Sequence, residues 1–275
     1  AGGVAYGAES PPPRSETGIE DAVEALAASA DDPGLHLLLA DVLARNPELA
    51  SERAAAAAAE QRAPQVGSLP DPMAGLTLYL QTPETRVGPQ RAMASISQHF
   101  PLFGKLGLKE RAAWLEAAAV RGTTAETALE LVTAARRLAL ELAFLDLEAS
   151  VVSDDVETLT HFEELARARY ATGVGLGQAV VKIQAEITRA QTRLLDIAQR
   201  RSEVVARLNA LRDRPETDKL PSFQLPDLPA AAPDAAALTE QALGGRPAVA
   251  AARARVDAAA ARIELAEKGY RPDVT

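Results

Sequence analysis

The chain has 275 residues, of which 47% are hydrophobic but only 4% aromatic, with a single Trp and no Cys. That is material for a sizeable core, yet Ala, Leu, Arg and Glu dominate, the composition of long helices packed through small side chains rather than of a thick globule. Its 29 basic and 38 acidic residues leave a net charge of -9; because the bases are interleaved with acids there is no clustered cationic surface for nucleic acid, and the lack of Cys excludes disulfides, thiolate zinc sites and a lipidated N-terminal Cys in this chain.

No stretch approaches the roughly 20 apolar residues of a spanning helix, and no signal peptide is visible, so membrane insertion would proceed through strands or after removal of a signal. Residues 1–34 carry Gly, a Pro triplet and acids with little apolar periodicity, which predicts a flexible N-terminal arm with one helical turn near residues 19–28. Residues 35–64 read as helix, with a break or kink at Pro47, and Pro64 and Gly67 are expected to stop it.

Two segments then differ in kind. In MAGLTLYLQT, residues 73–82, Leu76, Leu78 and Leu80 alternate with Thr77, Tyr79 and Gln81, a period of two that separates apolar and polar faces. RAMASISQHF, residues 91–100, is a weaker copy in which Ala92, Ala94, Ile96 and Phe100 oppose Ser95, Ser97 and His99, and Gln98 interrupts the pattern. PETRVGPQ between them supplies a Pro- and Gly-bearing loop, so residues 73–100 read as a β-hairpin. Strands of about ten residues suit a tilted membrane-spanning barrel; a hairpin lying on a soluble domain fits these residues equally well.

From Leu102 to Arg214 there is no proline, which predicts uninterrupted helix over most of residues 105–212. Leu131, Ala135, Leu138, Leu142, Leu145, Ala149, Val152, Val156 and Leu159 step by alternating fours and threes, a heptad seam. A second seam runs Leu176, Val180, Ile183, Ile187, Ala190, Leu194, Ile197, Arg201, Val204, Leu208 and Leu211, with Arg201 as its charged interruption. Between them, ARYATGVGLGQAVV places Gly173, Gly175 and Gly177 at alternate positions. A phosphate loop would need a preceding strand and a following Lys-Ser or Lys-Thr, so the glycines are expected to permit a tight positive-φ reversal, with Arg169, Tyr170, Val174 and Leu176 forming an exposed tip at residues 173–177.

The helix predicted before the tip would be about 100 Å long and the one after it about 52 Å, so the second covers only part of the first, and the helix of residues 35–64 has nearly the missing length. Residues 213–234 form a Pro-rich linker. Beyond it, 235–270 repeat the earlier helix at an offset of 200: RPAVAAARARVDAAAAR matches NPELASERAAAAAAEQR at Pro47/Pro247, Arg53/Arg253 and Arg62/Arg262 as well as at several alanines, and Pro72/Pro272 extends the match. Under this offset Thr275 falls opposite Gly75, and the chain is expected to stop before a second β-hairpin, as part of a longer duplicated protein.

The ordered series Asn46-Pro47-Glu48-Leu49, Leu69-Pro70-Asp71-Pro72, QHFPLFGKLGLKERAA, the glycine turn, LNALRDRP and the repeat at 245–275 resembles the outer-membrane efflux channel family, the TolC-type proteins, over about residues 35–275. The FPLFGK element looks most like the heavy-metal branch. The resemblance implies a mainly α fold, a long antiparallel helical hairpin that is part of an α-barrel, with a two-stranded β-hairpin contributing to a transmembrane β-barrel in the outer membrane of a Gram-negative bacterium. It implies a homotrimer with lipid-facing Leu76, Leu78 and Leu80. The tip at Arg169, Tyr170, Gly173, Val174, Gly175, Leu176 and Gly177 would dock on a periplasmic adaptor that links the duct to an inner-membrane transporter.

The chemistry-bearing residues give little else. His36, His99 and His161 are isolated from partners at metal-ligand spacing. Asp154, Asp155, Glu157, Glu163 and Glu164 read as a solvated helix face rather than catalytic carboxylates, which need a pocket. No nucleophile elbow or Walker loop is present, so neither an enzyme nor a cofactor is expected. The competing reading is a periplasmic adaptor or coiled-coil scaffold whose helical hairpin is itself the binding element; it explains the seams but neither the period-two strands nor the repeat.

Overall fold

The computed structural model describes residues 32–81, 84–86, 88–89, 91–227 and 231–275; the turn expected near 19–28 lies outside them. The helices are α1 (Pro33–Arg45), α2 (Pro47–Gly67), α3 (Lys105–Ala171), α4 (Gly177–Leu211), α5 (Ala235–Gly245) and α6 (Pro247–Glu267), followed by a 3-10 turn at Lys268–Tyr270. The strands are β1 (Met73–Leu78), β2 (Glu84–Thr85), β3 (Gly88–Pro89) and β4 (Ala92–Ser97). The expected fold class, mainly α with a long antiparallel helical hairpin and a β-hairpin, is the one observed, and among the described residues the β-hairpin carries two two-stranded sheets, β1–β4 and β2–β3.

The chain divides into two compact units. The first holds the described residues of Ala1–Pro47 with Ala128–Ala231. Asp32 caps α1 by accepting a hydrogen bond from Gly34 N at 2.8 Å, and Pro33 occupies the first turn, where a missing N–H costs nothing. The helix breaks at Asn46, φ -59° and ψ 122°, because the residue before a proline is pushed out of the helical region. Leu38, Leu39, Val42 and Leu43 of α1 are buried, as are Leu131, Ala135, Leu142, Leu145 and Val152 of the α3 seam and Ile197, Val204 and Leu208 of the α4 seam; each fully buried Leu contributes about 1.5–3 kcal/mol. Val156 and Leu159 of the α3 seam and Val180, Ile183, Ile187, Ala190 and Leu194 of the α4 seam are only half-buried. Arg201, the charged interruption, is exposed and pairs with Asp146 of α3 at 2.7 Å.

At the end of α4 a buried polar knot turns the chain. Asn209 donates from Nδ2 to the carbonyls of Glu216 and Asp218 at 2.9 and 3.0 Å and accepts from Arg212 Nε and Nη2 at 3.2 and 2.9 Å. Arg212 also reaches Asp218 at 2.9 Å and Asp41 of α1 at 3.5 Å, and Asn46 Nδ2 donates to Leu211 O at 2.9 Å. Asn209 and Arg212 are buried, so such groups require these partners.

The second unit holds Glu48–Thr127 and the described residues of Ala232–Thr275. Both α2 and α6 run antiparallel to the first part of α3. Arg121 pairs with Glu60 at 2.7 Å and Thr124 Oγ1 donates to Glu52 O at 3.3 Å. On the other partner Arg246 Nε donates to Glu126 at 2.8 Å, and Arg262 pairs with Glu116. The contacts are made through small residues: Ala56, Ala63, Ala112, Ala117, Ala251 and Ala258 are all buried, which lets the helix backbones approach closely. α2 and α6 each have 21 residues, with bounds that coincide at the offset of 200.

Pro64 does not stop α2, which runs through it to Gly67. Only the final turn lies beyond that proline, so few backbone bonds are lost, and buried Ala63 anchors the helix where the ring enters. The strands are also shorter than the expected ten residues. β1 and β4 pair antiparallel from Met73↔Ser97 to Leu78↔Ala92. Beyond Met73 the ladder gives way to a side-chain bond, Gln98 Nε2 donating to the Pro70 carbonyl at 2.6 Å. At the far end β2 and β3 form a separate antiparallel pair, Glu84↔Pro89 and Thr85↔Gly88, in a different register.

Candidate functional site

Two surfaces carry the sequence-predicted residues. The first is the turn between α3 and α4. Gly173 alone of the three alternate glycines has a positive φ, 76°, correcting the expectation that all three serve the reversal in that way. Gly175 is required by proximity: a Cβ there would lie 3.0 Å from Tyr170 N and 3.1 Å from Arg169 C, both backbone. Gly177 begins α4, and a Cβ there would sit 3.3 Å from the Tyr170 ring. The Arg169 carbonyl accepts from Val174 N and Gly175 N at 3.0 Å each and from Thr172 Oγ1 at 3.0 Å, tying the reversal to the end of α3.

What this turn presents is apolar. Val174 is 83% exposed, Leu176 75% and Tyr170 58%. Leu176, assigned to the α4 seam by its spacing, lies outside it at the N-cap position, φ -92° and ψ 132°, with no side-chain capping bond. The stem behind the turn is cross-linked by Glu163, which accepts from Gln184 of α4 at 2.8 Å and from Arg167 at 2.9 and 2.7 Å. These bonds, Gln184's first, hold the Glu163 carboxyl below its ordinary range. Farther back, Glu148 pairs with Arg193 of α4 at 2.7 Å.

The second surface is the sheet. In the observed register Ala74, Leu76 and Leu78 lie opposite Ile96, Ala94 and Ala92. Directly opposed residues project to the same side, so the apolar sets of both strands share one face, and Thr77, Gly75, Ser95 and Ser97 share the other with Met73 and Met93. Every residue of β1 and β4 is exposed, and Leu80 beyond β1 is fully so.

The remaining candidates are dispersed. His161 lies 3.7 Å from Glu164, and His99 3.4 Å from Asp273. Asp154, Asp155, Glu157 and Glu164 are exposed, whereas Glu163 belongs to the stem cross-link. Among the described residues no group of three or more His, Cys, Asp or Glu is placed to hold a metal ion, and no helix is long and apolar enough to cross a membrane. Sequence reasoning missed a charged cluster around Lys105 and Asp273, whose partners stand 168 residues apart.

No protein-family model and no curated protein matches the chain. Solved structures do. The outer membrane protein VceC of Vibrio cholerae aligns with a TM-score of 0.71 and 22% identity over 88% of this chain and 60% of its own. The outer-membrane channel OprN gives 0.72 and 18% over 88% and 57%, and the open state of the Neisseria gonorrhoeae MtrE outer membrane channel gives 0.66 and 19% over 88% and 56%. The chain therefore spans somewhat more than half the length of these channels and shares their fold.

Proposed function

We propose, from the fold of the TolC-type outer-membrane channels as premise, that this chain supplies part of a passive exit duct in the outer membrane of a Gram-negative bacterium, within a tripartite efflux pump. The observation that carries this is the apolar sheet face. A two-stranded sheet is marginal by itself in water, and an uncovered face of Leu, Ile and Ala is worse. A bilayer covers such a face, provided that the sheet closes through further strands. On this reading Leu76, Leu78 and Leu80 face lipid and Thr77, Tyr79 and Gln81 face the lumen. The protein works as a homotrimer.

The turn at Arg169, Tyr170, Gly173, Val174, Gly175, Leu176 and Gly177 is then the contact for a periplasmic adaptor, which joins the duct to an inner-membrane transporter. Exposed Val174, Leu176 and Tyr170 support this, because apolar groups gathered at the turn of the hairpin suit an interaction surface. The duct performs no covalent step. Small molecules or metal ions pass down it, and the transporter supplies the energy.

The test is fractionation after export in a Gram-negative host. The expected result is recovery in the outer-membrane fraction, release only by detergent and a heat-sensitive oligomer on a gel. Recovery from the soluble periplasm without any such oligomer would favour the adaptor or scaffold reading, which shares the turn but gives the apolar sheet face no role.

A further inference from the structure

The sheet has a second edge. Tyr79 N donates to Arg91 O at 3.0 Å, in step with the β1–β4 register. Odd-numbered residues of β4 therefore turn their backbone groups toward β1, and even-numbered residues turn theirs away. Phe100 has the outward parity, and there it meets the C-terminal segment: Phe100 N donates to Val274 O at 2.7 Å and Val274 N to Phe100 O at 3.3 Å, an antiparallel bridge.

This short pairing is held by charge. Lys105, the first residue of α3 and almost fully buried, donates from Nζ to Arg271 O at 2.7 Å and to Asp273 Oδ1 at 2.8 Å. The same Asp273 oxygen accepts from Leu102 N at 3.1 Å. Asp273 Oδ2 lies 3.4 Å from His99 Nε2, and the other ring nitrogen lies 3.2 Å from Thr275 Oγ1. The Arg271 guanidinium stacks 5.1 Å above the Phe103 ring. Phe103 takes a left-handed conformation, φ 60°, a strain that persists only where the surroundings fix it, and Gly104 beside it adopts φ 75° without steric cost.

We propose that Lys105, Asp273 and His99 form a latch that docks residues 271–275 beside Phe100, just beyond the end of β4, and fixes their register at Phe100–Val274. An unpaired strand edge is a template for wrong partners, and the latch commits the backbone that leaves β4 to one specified segment. It also ties the end of β4, the start of α3 and the segment after α6 to a single carboxylate. The groups facing Asp273 are cationic or can become so: Lys105 from α3 and His99 from the segment after β4, with Arg271 and Lys268 on the tail nearby. Lys105, then the Leu102 N–H, and also His99 hold the Asp273 carboxyl below its ordinary 3.8. The latch is therefore intact above that range and released only as the pH falls through the lowered value.

The inference does not depend on the channel reading. It is tested by amide hydrogen exchange of Phe100 and Val274 in the intact chain, referenced to the Tyr79 amide of the β1–β4 ladder. Asp273→Asn and Lys105→Met are expected to speed exchange at both positions about tenfold and to leave Tyr79 unchanged. His99→Gln is expected to speed exchange at both positions less than Asp273→Asn does, because it removes only one of the partners of that carboxylate. Unchanged exchange at Phe100 and Val274 in Asp273→Asn would overturn the latch. So would acceleration of Tyr79 in step with them, which would make these charges a general support of the hairpin instead.

Discussion

Leu176 and Gly175 adjoin, yet substitutions at them act on different properties. Leu176 occupies an N-cap with no capping side chain, so Leu176→Asp supplies the missing acceptor at the start of α4 and is expected to stabilise the helix by about 0.5–2 kcal/mol. It also places a charge in the apolar tip. A raised Tm together with weakened cross-linking to the adaptor is the expected pair of outcomes, and unchanged cross-linking would remove the tip from the proposed contact. Gly175→Val, in contrast, drives a side chain against the Arg169–Tyr170 backbone, and is expected to lower stability along with docking. Asn209 belongs to another class of residue. Asn209→Ala strips acceptors from buried Arg212 and a donor from two carbonyls, and is expected to cost about 2–4 kcal/mol in urea unfolding. The sequence showed the glycines but not their three separate duties, because an alternate spacing says nothing about which backbone lies next to which Cα.

Among the elements, α6 is capped in an unusual way. Its N-cap residue is Arg246, whose side chain makes no capping bond; Glu126 of α3 supplies the acceptor instead, taking Ala248 N at 3.1 Å while paired with Arg246. Arg246 first, and the Ala248 N–H with it, hold the Glu126 carboxyl below its ordinary 4.5, against the opposing effect of burial. Glu126→Ala is expected to cost about 1 kcal/mol. The folded value is depressed, so the contribution is fully present above pH 4.5 and lost as the pH falls through the lowered value. An acid titration followed by circular dichroism, with the Glu126→Gln variant alongside, measures that loss, and a transition insensitive to the substitution would exclude the cap. Element identity was the most legible level of the sequence. The heptad steps of α3 and α4 and the alternation of β1 are local patterns and survive folding unchanged. Pro64 misled because local propensity yields to packing, and the strand lengths because the ladder ends at Met73–Ser97 where the Gln98 side chain, and not a backbone group, takes the Pro70 carbonyl.

For the molecule as a whole, the proposal rests on one face of one sheet. Leu78→Arg places a guanidinium on that face and is expected to oppose bilayer residence by about 2–4 kcal/mol if the position lies near the midplane. Reduced recovery in the outer-membrane fraction with unaltered helix content would be the sign of it; undiminished recovery would mean that this face does not meet lipid. The pairing of the two apolar strand sets was foreseeable from alternation, since each strand carried its own signal. The bridge from Phe100 to Val274 was not, because five residues at 271–275 show no period and gain their meaning only from Lys105 and His99.

Gly122 has a wider consequence. A Cβ placed there would lie 2.8 Å from the Cβ of Ala251 and 3.1 Å from its Cα, so two backbones meet with no side chain between them that can rotate aside. The separation of α3 and α6 is set at this point as by a spacer of fixed thickness. Residue size at position 122 thus acts as an adjusting screw: one added methyl has to displace a 21-residue rod, and the far end of that rod leads directly into the segment latched by Lys105.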